Sequence, residues 1–104
     1  MNNKKPAIFI FDIKIHDAVA LQPYLEKVES TYKAFGGKRI VLGDHVEVIE
    51  GDAPQGRVVM LQFNSLERAQ AWHASPEYQA LISVRQAGSE TNAWLVEAVD
   101  EQDQ

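Results

Sequence analysis

Apolar positions along the chain fall into strand-like runs and a helical stripe. Residues 7–15 (AIFIFDIKI) are rich in isoleucine and phenylalanine, a composition that favours a β-strand. One face of this strand is entirely apolar, and the other is apolar through Ile8 and Ile10 before it reaches Asp12. A strand with one face in water alternates more regularly, so we expect cover on both faces for at least half of its length.

The next segment has helical periodicity. Its apolar residues recur at steps of one, three and four and form a single stripe: Leu21, Tyr24, Leu25, Val28, Tyr32 and Phe35. Pro23 would remove a hydrogen bond from a helix that began at Asp17, so the helix is predicted to start near residues 21–22. Gly36-Gly37 is expected to end it, because glycine adopts the left-handed conformation that closes many helices.

Two strand regions are predicted in the middle of the chain. Residues 39–50 (RIVLGDHVEVIE) are interpreted as two short strand segments, interrupted by a turn or bulge at Gly43-Asp44. Residues 51–56 (GDAPQG) have the composition of a loop. Residues 57–63 (RVVMLQF) are a nearly continuous apolar run, which again predicts a strand covered on both faces.

Two further helices are marked by their capping residues. Asn64 or Ser65 is placed to cap a helix over 65–74, and an acid near its start can return a hydrogen bond. Ser75 is placed to cap a helix over 76–86, with proline at its first position and an acid in its first turn. Both helices are therefore predicted to have well-defined N-termini.

The order of these elements predicts the fold class. Residues 92–99 (NAWLVEAV) form the last predicted strand, and the acidic residues 100–104 are expected to be a frayed tail. The order β-α-β-β-α-β is that of the ferredoxin-like plan. It predicts an α+β fold with a four-stranded antiparallel sheet and helices on one face. The chain, 1–104, is predicted to be a single domain with its core over about 7–99.

Composition narrows the classes of function. The chain has 104 residues and no cysteine, which excludes disulfides, thiolate catalysis, zinc–thiolate sites and iron–sulfur clusters. A net charge of −5 argues against nucleic acid and anionic membranes as partners. The apolar run that ends at Asp12 is too short for a signal peptide. We expect a cytoplasmic protein, and no nucleotide motif or other cofactor signature is present.

Several motifs spread over the chain carry a family resemblance. They are Tyr32-x-x-x-Gly36-Gly37-Lys38, Val48-Ile49-Glu50-Gly51, Arg57-Val58-Val59, Phe63-x-Ser65, Ala69-x-Ala71-Trp72, Ser75-Pro76-Glu77-Tyr78-Gln79, Arg85 and Leu95-Val96-Glu97. Together with Asp12, this pattern resembles the DUF1330 family over about 7–99. That family is similar to the dimeric α+β barrels, ferredoxin-like domains that pair through their sheets and include small monooxygenases, isomerases and decarboxylases. The resemblance implies a dimeric α+β barrel, but DUF1330 has no established activity to carry over.

The distribution of apolar residues also predicts self-association. Two helices can cover only one face of a four-stranded sheet, whereas the first and third strands are apolar on both faces. A contiguous exposed apolar patch of that size is unusual on a monomer. We therefore expect a homodimer through the second sheet face, most simply with two-fold symmetry.

Arg85 is the most informative candidate for a functional site. It lies four residues after Leu81 and seven after Tyr78, on the helix face that is expected to meet the sheet. A buried guanidinium needs a carboxylate or several carbonyls, and Asp12 and Glu50 are the candidate partners. Arg85 either belongs to a pocket for a small anionic or carbonyl ligand, with Asp12 orienting it or accepting a proton, or forms a structural ion pair.

Three more residues are candidates for the same pocket. Tyr32, like Tyr24 on the same stripe, is a core residue or one whose hydroxyl donates to a ligand, and Trp72 is a core residue or a pocket wall. His73 is either a surface residue or a general base, because its ordinary pKa lies near neutrality. The catalytic candidates are Asp12, Arg85 and His73, and the ligand-binding candidates are Tyr32, Glu50, Trp72 and Arg85. The three histidines of the chain lack the spacing of metal ligands, so no metal site is predicted.

Two functions remain open at this point. The first is a protein that binds a small carbonyl or carboxylate metabolite in a pocket between sheet and helices, with a cofactor-free enzyme as its catalytic form. The alternative is a non-catalytic dimeric interaction module with a filled core. Polar groups converging in an apolar pocket would favour the first function, and a solidly packed interior would favour the second.

Overall fold

Four strands pair into one antiparallel sheet, and three helices pack on one of its faces. The computed structural model describes residues 5–99. The elements are β1 (Ala7–Ile15), α1 (Ala18–Lys33), β2 (Lys38–Gly43), β3 (Arg57–Phe63), α2 (Leu66–Ala74), α3 (Pro76–Gly88) and β4 (Ser89–Glu97). The strand order β2-β3-β1-β4 confirms the predicted ferredoxin-like α+β plan. The predicted tail over 100–104 lies outside the described residues, within which no helix is long and apolar enough to cross a membrane.

The first helix begins at Ala18, so the start predicted near residues 21–22 is wrong. Asp17 caps the helix, and its carboxylate accepts a hydrogen bond from the amide of the third helical residue at 3.0 Å. The backbone amide of Asp17 also donates to the carbonyl of Gly88, at the end of α3, at 3.1 Å. The first turn is stabilised by the Asp17 cap and by the contact of Asp17 with Gly88. The helix therefore tolerates Pro23 in its interior.

Residues 44–56 form an extended arm between β2 and β3. The strand predicted over 39–50 ends at Gly43, and the prediction for its second half is wrong. In the described chain, residues 45–50 have no neighbouring strand, and strand propensity alone does not hold an unpaired segment in a sheet. Gly51, with φ of 82°, provides the left-handed conformation at which the arm turns back.

The last strand pairs with β1 along the full length of β1, so it begins earlier than predicted. It starts at Ser89, opposite Ile15, and ends at Glu97, whereas the sequence predicted a strand over 92–99. The preceding helix likewise continues to Gly88, two residues beyond its predicted end. β1 offers a strand partner at every position up to Ile15, and β4 therefore starts directly after α3.

The two faces of the sheet are covered differently. The face toward the helices, here called the helix face, carries Phe9 and Phe11, whose rings lie 5.3 and 6.3 Å from the ring of Trp72. The opposite, open face carries the intervening positions of β1 and their neighbours across the strands: Ile8, Ile10, Val58, Met60, Trp94 and Val96. Trp94 on the open face is 51% exposed. A single chain thus provides the predicted cover on one face only.

Aromatic side chains form the centre of the helix-face core. Trp72, Tyr78 and Phe63 are fully buried, and the Trp72 ring lies 4.1 Å from that of Tyr78 and 5.4 Å from that of Phe63. Gly88 allows the end of α3 to approach the start of α1, since a Cβ there would lie 2.7 Å from the carbonyl oxygen of Asp17. As a result α1 packs mainly against α3, and space remains between α1 and the sheet.

Candidate functional site

A groove runs between α1 and the sheet. Its cavity volume is about 60 Å³. A single water molecule needs about 10–15 Å³ of such a cavity. Leu21 and Val28 line it from α1, and Phe11, Ile13 and Leu61 line it from the strands. These walls suit the apolar body of a small ligand, and the interior next to α1 is not completely filled.

Four polar side chains also border the groove. Arg39 and Arg57 come from β2 and β3, and the Nε of Arg57 lies 2.6 Å from a carboxylate oxygen of Asp44. Tyr24 and Tyr32 come from α1, eight residues apart on the apolar stripe that the sequence predicts. Burial raises the pKa of Tyr32 although Arg39 opposes the shift, so its hydroxyl keeps its proton at neutral pH.

A chain of hydrogen bonds connects this groove to the interior between the helices. Arg85 Nη1 donates to the hydroxyl oxygen of Tyr78 at 2.7 Å. The hydroxyls of Tyr78 and Tyr24 lie 3.0 Å apart. Because Tyr24 lines the groove and Arg85 is buried behind it, we call Tyr24, Tyr78 and Arg85 the tyrosine–arginine chain.

Arg85 is a buried cation without a compensating anion. Its residue is only 9% exposed, and its Nε has no hydrogen-bond partner. Among residues 5–99, Arg85 forms no ion pair, and its guanidinium bonds to a neutral tyrosine hydroxyl instead. A buried charge is costly unless it is paired and hydrogen-bonded, so this guanidinium has capacity for an additional acceptor.

The hydroxyls of the tyrosine–arginine chain provide a further donor. Burial raises the pKa of Tyr24 far above its usual range, and the nearby Tyr78 adds to this shift, while Arg85 opposes it. The Tyr24 hydroxyl therefore keeps its proton, and one hydroxyl hydrogen is used in the bond between Tyr24 and Tyr78. When Tyr78 is the donor in that bond, the Tyr24 hydrogen is available for an acceptor atom of a ligand in the groove, because Tyr24 is the tyrosine of the pair that lines it.

His73 lies beside the same cluster, with its ring against aromatic neighbours. Its imidazole stacks on Phe9 at 5.7 Å and lies 5.6 Å from the ring of Tyr78. Burial lowers the pKa of His73, and the positive charge of Arg85 lowers it further. The imidazole is consequently neutral at pH 7, the state that a general base requires. The contacts to Phe9 and Tyr78 are ring contacts, so they place His73 near the cluster without joining it to the hydrogen-bond chain.

Trp72 supports the cluster from the core. Its Nε1 donates to the hydroxyl of Thr31 at 3.0 Å, and its ring packs on Tyr78. Ser75 strengthens this junction, because its hydroxyl donates to the Trp72 carbonyl at 2.7 Å and accepts from the Tyr78 amide at 3.2 Å. Trp72 therefore positions Tyr78, whereas the groove next to α1 is lined by other residues.

Asp12 does not pair with Arg85, which corrects the predicted ion pair. Alternate residues of a strand point to opposite faces, so Asp12 lies on the open face while its neighbours Phe11 and Ile13 border the groove. Its carboxylate accepts hydrogen bonds from the backbone amides of Gln55 and Gly56, both at 2.8 Å. Asp12 is thus already satisfied, and it holds the base of the arm.

Glu50 is likewise separated from the buried cluster. It lies exposed in the arm next to Gly51, where the backbone turns. Glu50 is a candidate partner for Arg85 only as the last residue of a predicted strand. That strand segment does not form within residues 5–99. The candidate residues therefore divide into three groups: Tyr32 in the groove, Trp72, His73 and Arg85 in the cluster behind it, and Asp12 and Glu50 on the opposite side of the sheet or in the arm.

The hydrogen bond between Tyr24 and Tyr78 is not predicted by the local pattern of either residue. Tyr24 lies on the predicted stripe, which favours core packing, and a stripe does not reveal where its hydroxyl ends. Tyr78 lies seven residues before Arg85 in one helix. Two turns of an α-helix place such residues on the same face, so this spacing is the signal that points to their hydrogen bond.

Comparison with protein families identifies one match that covers almost the whole chain. The family described as a domain of unknown function, DUF1330, matches residues 6–99. The comparison with curated proteins gives no match. The family match agrees with the resemblance that the sequence motifs indicate.

Comparison with solved structures supports the fold. The protein of unknown function RPA0582 from Rhodopseudomonas palustris is 15% identical, with a TM-score of 0.76 over 93% of this chain and 85% of that one. SnoaB, a cofactor-independent oxygenase from Streptomyces nogalater, is 12% identical, with a TM-score of 0.63 over 96% and 99% of the two chains. A dimeric protein of unknown function with a ferredoxin-like fold from Bacteroides fragilis is 13% identical, with a TM-score of 0.59 over 93% and 100%. At these identities the similarity establishes a shared fold.

Proposed function

We propose that this chain, which belongs to the DUF1330 family, is a cytoplasmic homodimer that binds a small carboxylate or carbonyl metabolite in the groove beside α1. The observation that carries the proposal is the buried guanidinium of Arg85, which has an unpartnered Nε and no carboxylate at ion-pair distance among the described residues. An anionic or carbonyl oxygen is the ligand atom that such a group lacks.

The tyrosine–arginine chain makes the proposal specific to acceptor oxygens. Arg85 holds Tyr78 through one nitrogen, and the Tyr24–Tyr78 pair has one hydroxyl hydrogen left to donate. A ligand oxygen near Tyr24 would accept that hydrogen and reduce the cost of the buried charge behind it. The apolar walls around Leu21 and Val28 would hold the rest of the molecule.

A cofactor-free reaction on a carbonyl compound is the enzymatic form of the same proposal. Hydrogen-bond donors aimed at a carbonyl oxygen stabilise the negative charge that develops on it when a neighbouring carbon loses a proton. Tyr24 would supply the donor and Arg85 the positive charge, with His73 as a nearby neutral base. The shared fold with SnoaB, described as a cofactor-independent oxygenase, is compatible with this form and does not specify the reaction.

The homodimer is supported by the open face of the sheet. Ile8, Ile10, Met60 and Trp94 form an apolar surface that no helix within residues 5–99 covers. The Bacteroides fragilis protein that shares the fold is described as dimeric. Light scattering at micromolar concentration should give about twice the mass of the chain. A monomer under these conditions would rule out the assembly and leave the binding proposal to be judged separately.

Binding is tested with benzoate, and with benzyl alcohol as a neutral molecule of similar size. We expect benzoate to bind more tightly, as measured by isothermal titration calorimetry, because only it offers an anionic oxygen to the tyrosine–arginine chain. Arg85→Lys should weaken benzoate binding by about tenfold, because the shorter donor group of lysine cannot reproduce the hydrogen bond that holds the Tyr78 hydroxyl against Tyr24. Tyr24→Phe should weaken it by a smaller factor.

Arg68→Lys is the matched control. Arg68 lies on the exposed surface of α2, where its Nε donates to the carbonyl of Phe35 at 3.2 Å. Its substitution should leave benzoate binding unchanged. Equal affinity of the wild-type protein for benzoate and benzyl alcohol, or equal effects of the two arginine substitutions, would contradict the proposed site and favour the interaction module instead.

A further inference from the structure

We propose that the arm, residues 44–56, docks on the open face of a second copy of this chain. In this arrangement the side chains of Val46 and Val48 pack on the apolar surface around Trp94 of that copy. The inference rests on the homodimer proposed above and adds the element that closes over its interface. It also accounts for a segment that has the pattern of a strand and no strand partner within one chain.

The pattern of the arm is that of an extended segment with one apolar side. Val46 and Val48 alternate with His45 and Glu47, and the His45 Nε2 lies 3.4 Å from a carboxylate oxygen of Glu47. That contact places His45 and Glu47 on the same side of the backbone, which leaves the two valines on the other side. Val48 is 49% exposed, and the following Ile49 is 87% exposed. β-Branched residues in this alternation are typical of a strand whose apolar side is covered.

Both ends of the arm are anchored to the sheet, although residues 45–50 pair with no strand of the described chain. Asp44 pairs with Arg57 at one end, with 2.6 Å between the carboxylate oxygen and Nε. Asp12 accepts the amides of Gln55 and Gly56 at the other end, both at 2.8 Å. Gly56 approaches the backbone of β1 so closely that a Cβ would overlap it. An arm that is fixed at both ends loses less conformational freedom when it docks, which favours association.

Two features identify the occupant as a second copy. The first is continuity, because Asp12 ties the arm to the same open face whose apolar residues need cover. The second is charge. The arm carries Glu47 and Glu50, and Lys38 is exposed at the edge of the open face, opposite Gln62 of the neighbouring strand. A two-fold interface is self-complementary, so the acidic arm of each copy would meet Lys38 of the other copy.

The test compares Val48→Lys with Val19→Lys. Val19 is 84% exposed on α1, away from the open face, and serves as the matched control. Sedimentation equilibrium should show that Val48→Lys raises the dimer dissociation constant by about tenfold or more, which corresponds to about 1.4 kcal/mol. Val19→Lys should leave it unchanged. Hydrogen exchange of residues 45–50 should be slow in the wild-type dimer and fast in a Trp94→Asp variant, which we expect to be monomeric.

Failure of the arm and failure of the dimer give different results. If Val48→Lys and Val19→Lys have equal dissociation constants, or residues 45–50 exchange freely in an intact dimer, the arm does not dock and the sheet-face dimer stands. If Trp94→Asp leaves the dimer intact, the open face is not the docking surface and the inference is wrong. If the wild-type protein is monomeric at all concentrations, both the dimer and the docked arm are excluded, while benzoate binding to the groove is unaffected by this result.

Discussion

Among residues 5–99, each side of the sheet has one buried charged side chain, and the two differ in the hydrogen-bond partners that they have. Asp12 on the open face is 8% exposed and accepts two backbone amides at 2.8 Å. Arg85 on the helix side is 9% exposed, bonds to a tyrosine hydroxyl and has an unpartnered Nε. Their burial is almost equal, so exposure alone does not distinguish them. The difference lies in the number of partners that the protein itself provides.

This difference separates a structural charge from an available one. Asp12 has no need of a ligand, because its oxygens already hold the base of the arm. Arg85 carries an uncompensated cost that an added anion would reduce. The apolar residues follow the same division, since Trp72 on the helix face is fully buried and Trp94 on the open face is half exposed. On the helix face the apolar side chains are buried, but the charged side chain is not fully paired. On the open face the charged side chain is fully paired, but the apolar side chains are not buried.

The largest expected effect contrasts the two tryptophans. Trp72→Ala should lower the free energy of unfolding by about 3–5 kcal/mol, because it removes a fully buried ring and a hydrogen bond to Thr31. Trp94→Ala should cost the monomer less than about 1 kcal/mol and should weaken the dimer instead. Urea denaturation of each variant, at a protein concentration below the dimer dissociation constant, measures the two losses in unfolding free energy. Equal losses would show that the two faces are packed to the same degree.

The next prediction contrasts the two charges. Asp12→Asn should cost about 1–3 kcal/mol, because the amide has one oxygen in place of two acceptors for Gln55 and Gly56. Arg85→Met should leave the unfolding free energy unchanged or raise it, since it removes a buried cation that has no anion. The two variants are compared by urea denaturation without ligand. A large loss for Arg85→Met would mean that the arginine is structural.

A smaller effect is expected at the junction of α2 and α3. Ser75 caps α3 through the amide of Tyr78 and bonds back to Trp72, so it holds the helix that carries the tyrosine–arginine chain. Ser75→Ala should cost about 0.5–2 kcal/mol, which is the usual range for loss of a helix cap. Ser75→Asp, which retains a capping oxygen, should recover part of that loss. A denaturation midpoint and m-value equal to those of the wild-type protein would argue against the capping role.

The smallest effect concerns the pH dependence of stability. Burial and the charge of Arg85 lower the pKa of His73 in the folded state, so below about pH 6.5 the unfolded chain binds the proton more readily. The contribution of His73 is present above that pH and is lost as the pH falls through the lower folded pKa. His73→Gln should remove this part of the slope, whereas His45→Gln should retain it.

Ligand binding provides a second test of the same histidine. An anion bound at Tyr24, at the groove end of the tyrosine–arginine chain, would offset part of the positive charge of Arg85 that lowers the pKa of His73. Titration of the imidazole by NMR should therefore give a higher pKa with saturating benzoate than without it. An unchanged titration, together with tight binding of benzoate, would place the ligand away from Arg85.

Local patterns predicted much of the fold and part of the site. The apolar stripe predicts the face of α1 that carries Tyr32, which borders the groove, and Ser75 caps α3 as expected from the residues around it. The Asp12–Arg85 contact, one of the alternatives for Arg85, does not form: strand alternation already puts Asp12 on the face of Ile8 and Ile10, but only the packing of the helices shows that this face points away from Arg85. The start of α1 was wrong because Pro23 is a local signal, whereas the contact between Asp17 and Gly88 joins distant parts of the chain.

The sequence by itself determined the order of the elements, the family and the caps of α2 and α3, because periodicity and these caps depend on residues close together in the chain. Only the tertiary structure decided which charge is satisfied. Whether Asp12 meets the amides of the arm, and whether Arg85 meets a carboxylate or a tyrosine, depends on how α3 packs on α1 and where residues 55 and 56 cross β1. Hydrogen bonds act over about 3 Å, so their partners are set by the final packing and not by spacing along the chain.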